Sequence, residues 1–168
     1  KMQSSDKEFL AKIDKHKGIV FKISKMYMDN RDDQNDLFQE IIYQVWKSFS
    51  SFEGKSEFST WLYRIALNTA IIFLKSEKRR SFIQIDDDVS LYKLKEDDYN
   101  LEDEQNLKLM YECIQKLNPI DKALIFYYLE DFSGKEMAEQ MGISEGNARV
   151  KLNRAKEKSK ELINKIAS

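Results

Sequence analysis

The sequence SGKEMAEQMGISEGNARVKLNRAKEK, residues 133–158, holds two amphipathic segments separated by a glycine. In the first segment, Met137, Ala138 and Met141 fall on one helical face, which must be buried against something. Gly142 follows, where a residue without a Cβ can adopt the left-handed conformation that ends a helix. Ser144 is then a favoured N-cap for the next helix. A helix, a glycine turn and a capped helix in this order predict a helix-turn-helix.

The second segment has one apolar face and one polar face. On a helical wheel, Ala148, Leu152 and Ala155 cluster on one side, which we expect to be buried. Residues 144–160 contain six Lys/Arg and two Glu, a local charge of +4 that suits contacts with DNA phosphates and base edges. We predict that the opposite face enters a groove of DNA; its residues are Gly146, Arg149, Val150, Asn153 and Arg154.

The rest of the chain is also predicted to be helical, so the expected fold class is all-α. Glycine and proline are scarce, at five and one, and apolar residues recur at three- and four-residue spacing. The helix before the motif has an apolar stripe that we expect to be buried: Leu124, Ile125, Tyr128 and Leu129. The predicted helices are Asp6 to His16, Gly18 to Met28, Asp33 to Phe49, Ser59 to Lys78, Leu101 to Leu117, Pro119 to Leu129, Gly134 to Met141 and Ser144 to Ile166.

Two segments between the N-terminal helices have residues that favour turns. Residues 29–32 are predicted to form a turn, and we expect Asp33 or Asp36 to cap or favour the start of the helix that follows. Residues 51–57, with Gly54 at the middle, predict a tight loop between two helices.

Charge divides the chain into three blocks whose balances give the net charge of −1. Residues 1–80 hold 15 Lys/Arg and 11 Asp/Glu, residues 81–103 hold 2 and 8, and residues 104–168 hold 11 and 10. The middle block lacks sustained periodicity and repels itself electrostatically. We therefore predict two small helical domains, 1–80 and 104–168, joined by a flexible acidic linker, 81–103.

Composition argues against several functions. A single cysteine, Cys113, and a single histidine, His16, offer neither a disulfide nor a zinc site, so both are interpreted as ordinary helix residues. The acidic run 86–88 lacks the glycine and terminal glutamate of a calcium loop. We expect no metal, no cofactor and no enzymatic activity, because phosphate-cradling, HExxH and nucleophile–histidine motifs are missing.

The sequence also predicts a cytoplasmic protein without direct membrane insertion. The longest nearly uncharged run, residues 65–74, is about ten residues long, whereas a membrane-spanning helix needs roughly 20. The beginning, KMQSSDKEFL, lacks the apolar core of a signal peptide.

Aromatic and basic side chains are interspersed in SFEGKSEFSTWLYRIALNTAIIFLKSEKRR, residues 51–80. Aromatic rings can stack on unpaired bases while cations hold the nucleic-acid backbone. The alternative is a packed core with solvated cations, which is favoured for Trp61, Leu62, Ile65 and Phe73. The exposed candidates are mainly the residues of the loop 52–58.

This stretch and the preceding one, residues 33–49, resemble the DNA-melting domain of extracytoplasmic-function (ECF) sigma factors in the sigma-70 family. The resemblance continues through the helix-turn-helix and covers nearly the whole chain, although the linker matches only in being acidic and variable. The matching residues are Asp36-Leu37, Gln39-Glu40, Trp46, Phe52-x-Gly54, Phe58-x-Thr60-Trp61-Leu62-x-Arg64-Ile65-Ala66-x-Asn68 and Lys78-Arg79-Arg80.

The resemblance implies partners and site residues. The partners are core RNA polymerase, through its beta-prime clamp helices and beta flap, promoter DNA and an anti-sigma factor. The clamp-helix surface would be Asp36, Gln39 and Glu40. The minus-ten element would be bound by Phe52, Gly54, Lys55, Phe58, Asn68, Lys78, Arg79 and Arg80. The minus-thirty-five element would be bound by Lys135, Arg149, Val150, Asn153, Arg154 and Lys156.

The second domain departs from the usual pattern of the family at two places. Asn147-Ala148 stands where many relatives carry Thr-Val, and Val150-Lys151 stands where Ser-Arg is common. These departures concern the preferred bases rather than the mode of binding.

Two other functions are compatible with parts of the sequence. A stand-alone helix-turn-helix regulator would bind palindromic duplex DNA as a dimer, but it leaves the aromatic loop and the surface around Asp36 unexplained. A helical adaptor that binds only proteins would require that Arg149 and Arg154 have no effect on DNA binding.

Overall fold

The computed structural model describes residues 4–76 and 101–167, and the regular structure within these ranges is entirely helical. The chain separates into two compact units, within residues 1–95 and 96–168. The predicted all-α fold is confirmed. The helices are α1 (Ser4–Tyr27), α2 (Arg31–Ser48), a 3₁₀ turn (Phe49–Ser51), α3 (Phe58–Lys75), α4 (Leu101–Gln115), α5 (Pro119–Leu129), α6 (Gly134–Met141) and α7 (Glu145–Ala167).

Parts of the prediction fall outside the described residues. Lys78, Arg79 and Arg80 do so, as does the predicted linker 81–103 apart from its last three residues, which begin α4. Within the described ranges, no helix is both long and apolar enough to cross a bilayer.

The N-terminal unit is a bundle in which α1, α2 and α3 pack against one another. Its core consists of apolar residues that repeat every three or four positions, so each helix buries one stripe. Fully buried examples are Phe9, Ile13 and Val20 on α1, Leu37, Ile41 and Val45 on α2, and Leu62, Ala66 and Ala70 on α3.

The prediction of two helices before residue 29 was wrong, because α1 runs through Gly18 without a break. A glycine inside a helix costs about 1 kcal/mol relative to alanine. Ile13 and Val20 lie on either side of Gly18, two helical turns apart, and both are fully buried. Burial of the two flanking side chains outweighs the cost of the glycine.

Asn30, rather than Asp33 or Asp36, caps α2. Its side-chain oxygen accepts a hydrogen bond from the backbone N–H of Asp33 at 2.9 Å, and its amide donates to the Asp33 carboxylate at 2.8 Å. Asp33 still lies in the first turn, where a carboxylate is favoured by the positive end of the helix dipole.

In the C-terminal unit, α7 packs against α4, α5 and α6. The predicted inner face of α7 is confirmed, because Ala148, Leu152 and Ala155 are buried. α5 begins with Pro119 after Asn118, whose side chain accepts a hydrogen bond from the N–H of Asp121 at 2.9 Å. Proline suits this first position because its missing N–H would have no helical partner there.

Candidate nucleic-acid interface

A reciprocal cap at Ser133 fixes the start of the helix-turn-helix. The Ser133 hydroxyl accepts a hydrogen bond from the backbone N–H of Glu136 at 3.1 Å, and the Ser133 N–H donates to the Glu136 carboxylate at 2.8 Å. Both bonds satisfy N–H groups that have no partner within the helix. The backbone and then the side chain of Ser133 lower the pKa of Glu136 by hydrogen bonding to its charged form.

The predicted glycine turn is present between α6 and α7. Gly142 has φ 69° and ψ 35°, the left-handed conformation, and the next N–H, that of Ile143, donates to the carbonyl of Ala138 at 3.1 Å. The Ser144 hydroxyl accepts a hydrogen bond from the N–H of Asn147 at 3.1 Å, so Ser144 caps α7 as predicted. These bonds set the direction in which α7 leaves the turn.

The first three turns of α7 present a polar face to solvent. Arg149, Val150, Asn153 and Arg154 are all exposed, and Val150 is 46% exposed although it is apolar. Lys135, in the first turn of α6, is also exposed. Five of the six residues predicted for the minus-thirty-five element are therefore accessible for contact with DNA.

The sixth residue, Lys156, is half-buried because it packs on a tyrosine. Its ammonium nitrogen lies 3.8 Å from the centroid of the Tyr128 ring, and the negative face of an aromatic ring attracts a cation. The expectation that Tyr128 and Leu129 belong to a buried stripe was wrong, because they are 45% and 49% exposed at the end of α5. Leu124 and Ile125 of the same stripe are buried as expected.

The loop before α3 is attached to the bundle by five aromatic rings, which we call the aromatic cluster. The ring of Phe52 lies 5.7 Å from that of Phe58 and 5.0 Å from that of Trp61. Phe49 lies 5.4 Å from Phe9, which connects the cluster to α1. Such pairs stabilise one another beyond the area that they bury, so the loop is anchored at both ends.

Burial corrects the prediction for one residue of this loop. Phe58 is only 7% exposed, so its ring supports the loop and has no free face for an unpaired base. Phe52 is half-buried, and Gly54 and Lys55 are exposed. Gly54 has φ 73°, and Lys55 forms an exposed ion pair with Glu53 at 2.8 Å. An exposed pair of this kind contributes little and is easily exchanged for a phosphate.

Asn68 lies on the solvent side of α3, ten residues beyond Phe58 and thus about 15 Å along the helix axis. Trp61, which contacts Phe52, is half-buried two helical turns before Asn68. The loop and Asn68 thus lie along one side of α3 and do not form a single compact cluster.

A separate acidic stripe follows the exposed side of α2. Asp36 is exposed there, while Glu40 and Gln39 are half-buried. Glu40 accepts a hydrogen bond from the Gln44 amide at 2.9 Å. Partial loss of hydration and then repulsion from Asp33 and Asp32 raise the pKa of Asp36. The acids repel one another until a positively charged partner approaches.

In comparisons with known proteins, each of the two units matches a family model. Residues 13–80 match the family model for Sigma-70 region 2, and residues 107–158 match the model for Sigma-70 region 4. The ECF RNA polymerase sigma-E factor of Escherichia coli (strain K12) is 32% identical over 74% of this chain and 71% of its own length. This chain is an ECF sigma factor of the sigma-70 family.

Two other relatives match this sigma factor over a larger share of its length. RNA polymerase sigma factor SigV of Bacillus subtilis (strain 168) is 29% identical over 92% of this chain and 90% of its own length. The ECF sigma-E factor of Haemophilus influenzae is 28% identical over 92% and 87%. Like these proteins, the chain is an RNA polymerase sigma factor, and it acts in promoter-specific transcription initiation.

Two solved structures share the fold. One is the sigma factor RpoE in complex with the anti-sigma factor NepR from Bartonella quintana, with a TM-score of 0.66, 19% identity, and coverage of 94% of this chain and 98% of that one. The other is CnrH in complex with the cytosolic domain of CnrY, with a TM-score of 0.61, 18% identity, and coverage of 93% and 87%.

Sequence reasoning missed three features of the sigma factor. Lys122 is only 2% exposed, and its ammonium lies 3.4 Å from the Gln115 side-chain oxygen; nothing in the local pattern distinguishes it from a surface lysine. The exposure of Ile72, at 69%, was also missed. A helical wheel of α3 alone would have placed Ile72 opposite the core. The packing of Lys156 on Tyr128 joins two helices and has no signal in either one.

Proposed function

We propose that the sigma factor divides promoter recognition between its two units, with α7 on the minus-thirty-five duplex and the loop and α3 on the minus-ten element. The observation that supports this most directly is the exposed polar face of α7, which begins at a capped glycine turn and lies opposite a buried Ala/Leu face. Helix-turn-helix proteins place such a face in the major groove.

On α7, three exposed side chains of two kinds match the chemistry of base edges. Arg149 and Arg154 suit guanine or phosphate, and Asn153 suits adenine. Lys156, packed on Tyr128 at 3.8 Å, presents its charge from a defined position. We assign Lys156 and Lys135 to phosphates, which position the helix without reading sequence.

At the minus-ten element, the anchored loop supports contacts by Phe52, Gly54 and Lys55. Taking a base out of its stack costs a few kcal/mol, and stacking on an aromatic ring returns roughly 1 to 3 kcal/mol per base. Phe58 contributes by holding the loop in place. Asn68 would act further along α3.

The acidic stripe of α2 is proposed to dock on the beta-prime clamp helices of core polymerase. Asp36 and Glu40 provide the negative charge, and Gln39 lies at the edge of the stripe. Partial burial and then repulsion from Asp33 and Asp32 raise the pKa of Asp36, and the repulsion is relieved when a basic partner binds. This arrangement favours the bound state over the free one.

A further polymerase contact, with the beta flap, is supported by apolar exposure in the C-terminal unit. Tyr128 and Leu129 end α5 in solvent, and Ile163, two turns beyond Lys156 on α7, is 42% exposed. Exposed apolar side chains mark protein contacts where they are neighbours, as Tyr128 and Leu129 are in sequence. We assign these three residues to the flap.

Both solved relatives are described in complexes, one with the anti-sigma factor NepR and one with the cytosolic domain of CnrY. We infer that an anti-sigma factor also holds this sigma factor inactive. We further infer that it acts in the cytoplasm with polymerase, as a DNA-recognition subunit without enzymatic activity of its own.

The test is transcription by core polymerase on a promoter selected from randomised DNA by the wild-type holoenzyme. We expect Arg154→Ala to weaken binding at the upstream element by roughly 1 to 3 kcal/mol, and Gln39→Ala to lower affinity for core. Lys116→Ala is the matched control, because Lys116 is an exposed cation outside the helix-turn-helix. If the Arg154 and Lys116 variants behaved alike, α7 would not be the reading helix.

A further inference from the structure

Ile72 is the most exposed large apolar side chain in the described residues, at 69%. One exposed isoleucine is common on protein surfaces and carries no meaning alone. Its neighbours on α3 decide whether it belongs to a binding surface.

The neighbours of Ile72 on α3 form an exposed stripe. Arg64, Asn68 and Lys75 are exposed and, with Ile72, follow one another at intervals of four, four and three residues. This spacing places them on one side of the helix, over about 16 Å of its length. The buried residues of α3 lie on the other side and include Leu62, Ala66 and Phe73.

The charge of α3 identifies the kind of partner. Residues 58–75 contain Arg64 and Lys75 and no Asp or Glu, so both charged side chains of the stripe are cationic. A surface of arginine, asparagine and lysine suits a polyanion with hydrogen-bonding edges, which describes duplex DNA. The main apolar group that DNA exposes in its major groove is the 5-methyl group of thymine.

We propose that Ile72 reads a thymine methyl group in the major groove of the duplex bordering the minus-ten element. This inference rests on the proposed assignment of α3 to that element. The groove is about 12 Å wide and admits a helix. Ile72 lies about 6 Å along the helix from Asn68, which places the two side chains within about two base pairs of each other. Ile72 is thus a specificity-determining residue.

The proposal is tested by replacing thymines one at a time with uracil, which removes only the methyl group. The probe is the promoter selected from randomised DNA by the wild-type holoenzyme, and the readout is equilibrium binding of holoenzyme. For the wild type, we expect uracil at one position beside the minus-ten element to weaken binding about fourfold, the value of one buried methyl group. Ile72→Ala should bind the thymine promoter about fourfold more weakly and should not distinguish thymine from uracil there.

Val150→Ala removes an exposed apolar side chain from the unit assigned to the minus-thirty-five element, so it serves as the control for the uracil penalty and not for overall affinity. It should retain the wild-type penalty for uracil at the position beside the minus-ten element. The inference is overturned if Ile72→Ala keeps every uracil penalty of the wild type, or if its defect is a loss of affinity for core polymerase. A wild type that selects no promoter sequence at all would instead overturn the proposed function.

Discussion

Ser133 and Glu136 show how one pair of residues couples the helix-turn-helix to pH. The pKa of Glu136 lies below its ordinary value of 4.5 because Ser133 donates hydrogen bonds to the charged carboxylate. A carboxyl group with a lowered folded-state pKa stabilises the fold above its unfolded pKa. This contribution is lost as the pH falls through the lowered value.

We therefore expect the free energy of unfolding of the wild type to exceed that of Glu136→Gln by less in acid than at neutral pH. Glutamine keeps the hydrogen bond of the cap but has no charge. The measurement is the free energy of unfolding of the full chain in urea, at neutral pH and below pH 4.5. Glu139→Gln, on the exposed side of the same helix, is the control. A difference between wild type and Glu136→Gln that is independent of pH would contradict the prediction.

Two residues with positive φ are expected to respond in opposite ways to substitution. Gly142 has φ 69° and Asp131 has φ 63°. A side chain in the left-handed region costs about 1 kcal/mol, so Gly142→Ala should destabilise the C-terminal unit by that amount. Asp131→Gly should be neutral or slightly stabilising, because it removes the same strain. Thermal unfolding of both variants checks this, and a shift of equal sign in both would refute it.

Single residues also show where reasoning from the sequence stops. The inner face of α7 was predicted correctly, because alanine and leucine at helical spacing are unambiguous. Phe58 was predicted to be exposed and is buried, whereas Tyr128 was predicted to be buried and is exposed. An aromatic residue tolerates either environment. Their positions depend on neighbours from other helices, Trp61 for Phe58 and Lys156 for Tyr128.

At the scale of elements, the aromatic cluster makes the loop before α3 part of the bundle. We expect Phe52→Ala to destabilise the N-terminal unit by about 2 kcal/mol, because the ring contacts are lost and a cavity remains. The fluorescence of Trp61, which lies 5.0 Å from Phe52, reports the change. Phe52→Leu should recover part of the stability. Full stability in Phe52→Ala would mean that the loop is held by other contacts.

Periodicity predicted which segments are helical better than it predicted their ends. α5 and α6 have the predicted bounds, because proline, serine and glycine mark their limits. α3 ends at Lys75, three residues before the predicted end. α1 is one helix because burial on both sides of Gly18 outweighs the local preference of glycine.

For the whole molecule, the near-neutral charge of −1 means that free sigma factor should bind promoter DNA weakly. Binding should become strong when core polymerase holds both units. We expect Arg154→Ala in the holoenzyme to reduce the slope of log affinity against log salt by about 1 if the residue contacts a phosphate. If it reads a base, discrimination at one base pair should fall as well. Titration of labelled promoter at several salt concentrations separates the two outcomes, and an unchanged slope and specificity would exclude both.

The separation of the buried and exposed faces of α7 has a consequence for how promoter preference changes over evolution. Arg149, Val150 and Asn153 contribute little to the core, so substitutions there should usually alter stability by less than about 0.5 kcal/mol. A duplicated gene could therefore acquire a new set of target promoters through a few exposed changes without losing a folded product. The same property would let an engineer build sigma factors that act side by side without cross-talk.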